Sequence, residues 1–436
     1  MMKNGGGDIK INVDMLATEL EKMISDNVPI LPKRSPSCIF RVPNILSRHN
    51  PKAYEPSGFS IGPFHYNKPN LKATQKIKMR YLRELIISRF PNTNPKTKLR
   101  DLMEAISKVQ KEAHECYEGS INVSMDEFVK ILVLDGCFLI ELFRKSSNKE
   151  LRGKDDPIFG VGCMNTMLGY DLVLLENQIP WLVLECLFHN TINNLDANLP
   201  LTSLVLNFFG ISKEVGDNYQ NNLEYGHKHI LHLFRNLFIL PSTLAKQKRD
   251  LNCSTNDWQM MPSATSLHEA GIKFKKATSG TFSSILDIQF KNGVLEIPPI
   301  FIQDGTESLF RNLICLEQCL PHCEELISSY MALFDGLISN AKDMEILIKS
   351  EIIKEWTGTK NTTIFFNQIV SDTNMSHFYY LGLVLEMNKY CGRRWLRYRR
   401  VLMRDYFKHP WTLVLVLVFA IFLVLTFLQT LFTIIK

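Results

Sequence analysis

SMDEFVKILVLDGCFLIELFRK, residues 124–145, decides the fold class. Ser124 followed three places on by Glu127 is the pairing that opens a helix, because the hydroxyl takes one of the amides that the first turn leaves without a partner. Behind it, apolar residues from Phe128 to Phe143 fall on every side of the helical cylinder. A helix that is apolar all round belongs inside a core. This segment is therefore expected in the core.

Upstream, Leu71 to Arg89 predicts an amphipathic helix with Ile77, Tyr81, Leu82, Leu85 and Ile86 on one face and its Lys and Arg residues covering the other. A second amphipathic helix is expected from Lys98 to Tyr117. Before them, prolines at 29, 32, 36, 43, 51, 56, 63 and 69 forbid long helices, since each removes a backbone donor and fixes φ. That segment holds CIFRVP and YEPSGFSIGPFHY. It reads as extended and turn-rich, yet apolar enough to pack on the body. Residues 1–10 form a Gly-rich lead, followed by one amphipathic helix from Ile11 to Ile24.

Downstream of a charged loop at 146–157, MLGYDLVLLENQIPWLVLECLF predicts two helical stretches joined at Pro180. LPLTSLVLNFFG and His227 to Leu240 predict two more helices, and Ser266 with Glu269 a short one running into EAGIKFKK. The one clear β signal is SSILDIQFKNGVLEIPPIFI, where alternating runs flank Lys291-Asn292-Gly293. Asn-Gly is a hairpin cue because both residues tolerate positive φ. Helical pattern returns from Glu307 to Glu351 and again at 364–392. The fold class is mainly α: a large helical domain with a minor β-hairpin near 284–302, plus one C-terminal transmembrane helix. The chain divides into a lead (1–37), the helical domain (38–392), a basic juxtamembrane helix (393–410) and the span (411–435).

The span, WTLVLVLVFAIFLVLTFLQTLFTII from Trp411 to Ile435, has no charge and only Gln429 as a strongly polar side chain. About 20 apolar residues cross a bilayer core as a helix. Arg393, Arg394, Arg397, Arg399, Arg400, Arg404 and Lys408, set against Asp405, account for the whole net charge of +6. Positive charge beside a span marks its cytoplasmic side, so the body is expected in the cytosol, fixed to the plasma membrane or endoplasmic reticulum by a single-pass C-terminal anchor. The same arginines suit contact with anionic lipid. Trp395, Tyr398, Tyr406 and Trp411 fit interfacial anchors better than stacking platforms, so no nucleic-acid partner is expected. The N-terminus has no apolar run behind its first lysines, and a cleaved secretory signal is not expected.

The ten cysteines are spread through apolar runs, unlike the disulfide framework of a small secreted chain. Sequons at Asn122, Asn252, Asn361 and Asn374 matter only if the body is lumenal or exterior.

Asp171, Glu176, Asn177 and Gln178 sit inside an apolar run, and Glu317-Gln318 in FRNLICLEQC repeats the pattern. Charge placed so is expensive to bury unless paired. Two carboxylates brought together could serve as acid and base, but no nucleophile or metal triad accompanies them, and structural hydrogen bonding between helices is the favoured reading. His227, His229 and His232 form HxHxxH among core apolars, and Cys315, Cys319 and Cys323 beside His322 lack zinc CxxC spacing. There is no GxxxxGK[ST], GxGxxG after a strand, HExxH or GxSxG. No catalytic, metal-binding or cofactor-binding residue is assigned, and no cofactor is expected.

CIFRVP, FSIGPFHY, VLDGCFLIELF, DLVLLENQIPW, SATSLHEAGIKFK, LEIPPIFI, FRNLICLEQ and RDYFKHPW, in this order and ending in a terminal span, resemble the plant family known as domain of unknown function 247, from residue 38 to 436. The resemblance implies a plant single-pass membrane protein with a helical domain. Some relatives are connected with self-recognition in pollination, which implies recognition and not catalysis. It transfers no catalytic residue, only motif positions as fold determinants: Arg41, Pro43, Gly62, Pro63, Asp135, Gly136, Glu176, Asn177, Gln178, Pro180, Glu317 and Gln318. The expected function is a membrane-anchored interaction, recognition or signalling module with an unidentified protein partner; the alternative is a membrane-bound enzyme using buried carboxylates or histidines.

Overall fold

Helix α5, Met125–Ser147, runs through the middle of the helical domain. The structure, a computed structural model, describes residues 13–27, 37–191, 200–211, 226–239, 242, 261–278, 284–355, 358–392 and 410–435. Ser124 Oγ accepts from Glu127 N at 3.2 Å and opens α5 as expected. Phe128, Leu132, Phe138, Leu139, Leu142 and Phe143 are all buried, each such side chain contributing about 1.5–3 kcal/mol by leaving water.

Preceding α5 are α1 (Val13–Asn27), the one-turn α2 (Asn44–Ser47), α3 (Gln75–Arg89) and α4 (Pro95–Glu115). After it come α6 (Gly162–Asp171), α7 (Trp181–Thr191), α8 (Leu201–Phe208) and α9 (Ile230–Ile239). Helices α3, α4, α7 and α8 all pack directly on α5, and α4 packs on α7 as well. Gly136 of α5 makes the α7 approach possible: a Cβ there would stand 2.3 Å from Leu187 Cδ1.

A second layer holds α10 (Ala264–Glu269), α11 (Thr306–Cys319), α12 (Leu326–Leu337), α13 (Ala341–Lys349), α14 (Thr359–Ile369) and α15 (Leu381–Cys391). Helix α11 touches α9, α12 and α14, joining the layers. The hairpin forms where expected, with β2 (Gln289–Lys291) antiparallel to β3 (Val294–Ile297), Phe290 facing Leu295. Asn292 and Gly293 both take positive φ, 52° and 79°, which a two-residue hairpin loop requires.

Several expectations are corrected. Lys273–Lys276, read as helical, is strand β1, parallel to β3; the hairpin offers an open edge, and the alternation of Phe274 with lysines suits it. A second pair, β4 (Ile300–Ile302) with β5 (Ile353–Glu355), is also parallel and depends on a partner fifty residues away, which local pattern cannot show. Helix α6 ends at Asp171, so 172–180 is irregular chain and not part of a helix bent at Pro180. The final helix, α16 (Pro410–Ile435), contains a 21-residue stretch, Val414–Ile434, long and apolar enough to cross a membrane and not buried against any of the described residues. The Gly-rich lead, the basic residues Arg393 to Lys408 and most of 241–262 lie outside the described residues.

Candidate functional site

The polar motif residues converge beneath the extended segment Ser57–Gly62, whose backbone enters the core from Gly58 onward with no strand or helix to satisfy it. A buried amide without a partner costs about 1–3 kcal/mol, so each must be met by a side chain. Asp171, at the end of α6, accepts from Ser57 N at 2.7 Å, Gly58 N at 2.9 Å and Phe59 N at 2.7 Å. Asn177 takes Ile61 N at 2.7 Å through Oδ1 and donates to Phe59 O and Asp171 O, both at 2.9 Å. Asp135 of α5 takes Gly62 N at 2.8 Å and pairs with Lys78 at 2.6 Å, while Lys78 also donates to Ser60 O.

Irregular 172–180 is held in the same way. Gln178 donates to Leu172 O at 2.7 Å and Leu174 O at 2.8 Å and accepts from Leu231 N at 3.2 Å. Asn312 of α11 accepts from Leu175 N at 2.8 Å and donates to Ala53 O at 2.9 Å. The helix gives way here because side-chain amides take over the backbone's partners. Gly62, at φ +78°, lies so close to Gln178 O that a Cβ would stand 2.3 Å from it.

Glu176 sits nearer the surface. It accepts from Val42 N at 2.8 Å and from Arg41 Nη1 at 3.3 Å, with Arg41 lying over the Phe64 ring. His65 Nε2 is 3.4 Å from Glu176 Oε2 but not aligned for a hydrogen bond, and neither ring nitrogen has a hydrogen-bond partner among the described residues. Burial, with Lys68 and Arg41 nearby, pushes the His65 pKa down to about 3, so the ring is neutral and the contact is not an ion pair.

Glu317 occupies a separate place. It accepts from Ile327 N at 3.0 Å, Ser328 N at 2.9 Å and Ser328 Oγ at 2.8 Å, with Arg235 at 3.3 Å. It thereby caps the incoming α12. Burial raises the pKa values of Asp171 and Glu317, against the hydrogen bonds that favour their charged forms. Gln318 accepts from Asn374 N at 3.0 Å.

The sequence-predicted residues thus divide. Asp171 and Asn177 meet under one segment, Gln178 holds 172–180, Glu176 holds 41–42, and Glu317 with Gln318 organises the second layer. Asp171 and Glu317 share no hydrogen-bond partner among the described residues. His229 is buried against Cys38 O at 2.9 Å. No group of three or more His, Cys, Asp or Glu among the described residues is placed to hold a metal ion.

Lys78, Lys145, Asn312 and His65 were missed. Lys78 was counted on a polar face, yet it stands three before Tyr81 and seven before Leu85, on the apolar stripe. Lys145 pairs with Asp156 at 2.8 Å and Glu84 at 2.6 Å beneath Tyr81, whose hydroxyl donates to Asp156.

The family model described as plant protein of unknown function, DUF247, matches residues 39–426. The chain belongs to this family. Two UPF0481 proteins of Arabidopsis thaliana are similar to it: one is 29% identical over 90% of this chain and 85% of its own length, the other 22% identical over 90% and 89%. No solved structure matches. The polar staple and the apolar helix α16, up to residue 426, both lie within the family region.

Proposed function

We propose that this DUF247 protein is a membrane-anchored interaction module, with α16 as a single-pass C-terminal anchor and the helical body presenting its surface to a protein partner. The observation that carries this reading is the engagement of Asp171 and Glu317. The carboxylates an acid–base mechanism would use are consumed by backbone amides of the fold itself. By the charge of residues 393–408 the body faces the cytosol, with those arginines against anionic lipid of the plasma membrane or endoplasmic reticulum. Purification of the tagged full-length chain from independent mild-detergent extracts should return the same partner each time. Failure to recover any reproducible partner overturns the proposal.

A second reading, a membrane-bound enzyme, is favoured by one observation: the neutral His65 ring beside Glu176, without a hydrogen-bond partner among the described residues. Under that reading Glu176→Gln abolishes a turnover found by substrate screening while the unfolding temperature holds. Under the interaction reading partner recovery survives the same change.

A further inference from the structure

Ile39 and Tyr117 form an isolated parallel β-bridge, and Cys38 and Cys116 stand one place before each. Cys38 N and Ile39 N both donate to Cys116 O, at 2.8 and 2.9 Å. Paired chains lie about 4.8 Å apart, inside the roughly 4.4–6.8 Å Cα separation that a disulfide spans. The two side chains are near enough to shift each other's pKa values in opposite directions, and the Cys116 thiol donates to Glu112 O at 3.3 Å. Both are free thiols, Cys38 buried and Cys116 partly open to solvent.

We propose that Cys38 and Cys116 are a dithiol–disulfide pair that covalently locks the start of the DUF247 region onto the end of α4. Cys116 is the attacking sulfur: the neighbouring Cys38 and then Lys228 hold its pKa down, while Cys38 is pushed up by Cys116 beside it and by burial. With a small-molecule disulfide such as oxidised glutathione, the Cys116 thiolate displaces one thiolate and forms a mixed disulfide. Cys38 then gives its proton to a departing thiolate and attacks Cys116, releasing the second. Two protein thiols are oxidised and one disulfide becomes two thiols. Cys315 and Cys319 are also in contact, but one turn apart on rigid α11. Linking residues 38 and 116 closes a far longer loop, and the constraint on the unfolded chain grows with loop length.

The test uses the full-length chain in detergent, equilibrated in glutathione buffers from reducing to oxidising, quenched with N-ethylmaleimide and mapped by mass spectrometry. The expected result is a Cys38–Cys116 linked peptide that appears as the buffer becomes oxidising, vanishes with dithiothreitol, and accompanies a rise of several degrees in unfolding temperature. In Cys116→Ser the linked peptide and the rise are both lost, while the reduced proteins unfold alike. Full alkylation of Cys38 and Cys116 in the oxidising buffer, or a link from either to another cysteine, overturns the proposal.

Discussion

Lys78 Nζ lies 2.6 Å from Asp135 Oδ1, with the two side chains 0% and 1% exposed. The pair joins α3 to α5, and through Ser60 O and Gly62 N it grips the segment between them in space. Each member of the pair also holds a backbone group of that segment, Asp135 through Oδ2 and Lys78 through Nζ, so neither charge is buried with the other as its sole partner.

Lys78→Met should therefore destabilise the protein by about 3–5 kcal/mol, because it strands a buried carboxylate. Lys78→Met with Asp135→Leu should cost less than the sum of the single changes. Denaturant unfolding of the four proteins in a double-mutant cycle measures the coupling.

Gly62→Ala should cost at least about 2 kcal/mol. The new Cβ meets the Gln178 carbonyl at 2.3 Å in a backbone held at φ +78°, and neither the carbonyl nor the turn can move without breaking the bonds of Gln178. Gly119→Ala, also at positive φ but with open space around it, isolates the conformational part of the cost. Thermal unfolding of the two variants separates clash from strain.

The buried histidines' contribution to stability should fall as the solution is acidified below pH 6.5. Burial lowers the pKa values of His65 and His229 from 6.5 to about 3, and of His232 to about 2. Below 6.5 the unfolded chain binds protons that these folded rings refuse, so each contributes a loss of roughly 1.4 kcal/mol per pH unit until its folded pKa is reached. Asp171 and Glu317, with raised pKa values, act in the opposite sense, their stabilising contribution being lost as pH rises through the folded pKa. The difference in pH slope between wild type and His229→Gln isolates the histidine effect.

The sequons report on which side the body lies. Asn122, Asn361 and Asn374 are exposed, and Asn252 lies outside the described residues. With the body in the cytosol, glycosidase treatment of protein made in plant cells leaves its mobility unchanged. A shift places the body outside and reverses the charge argument.

The all-round apolar helix 125–147, the Asn292-Gly293 turn and the terminal apolar helix follow from spacing, turn chemistry and length. Residues 172–180 are not legible as irregular chain, because their apolar run looks the same whether its backbone bonds are helical or supplied by Gln178 and Asn312. Asp171 and Asn177 are legibly expensive to bury, but the segment they satisfy is more than a hundred residues upstream. Lys78 and Lys145 are not legible because a lysine on an apolar stripe reads as solvent-facing until its carboxylate arrives from elsewhere in the chain.

Amide hydrogen exchange at Ser57–Gly62 in wild type and Asp171→Ala tests the central claim, that the motif residues hold the extended segment on the helical core. The account predicts slow exchange in wild type and accelerated exchange in the variant, concentrated at Ser57, Gly58 and Phe59, while α5 stays protected. Unchanged protection of those amides in a folded Asp171→Ala protein would contradict it.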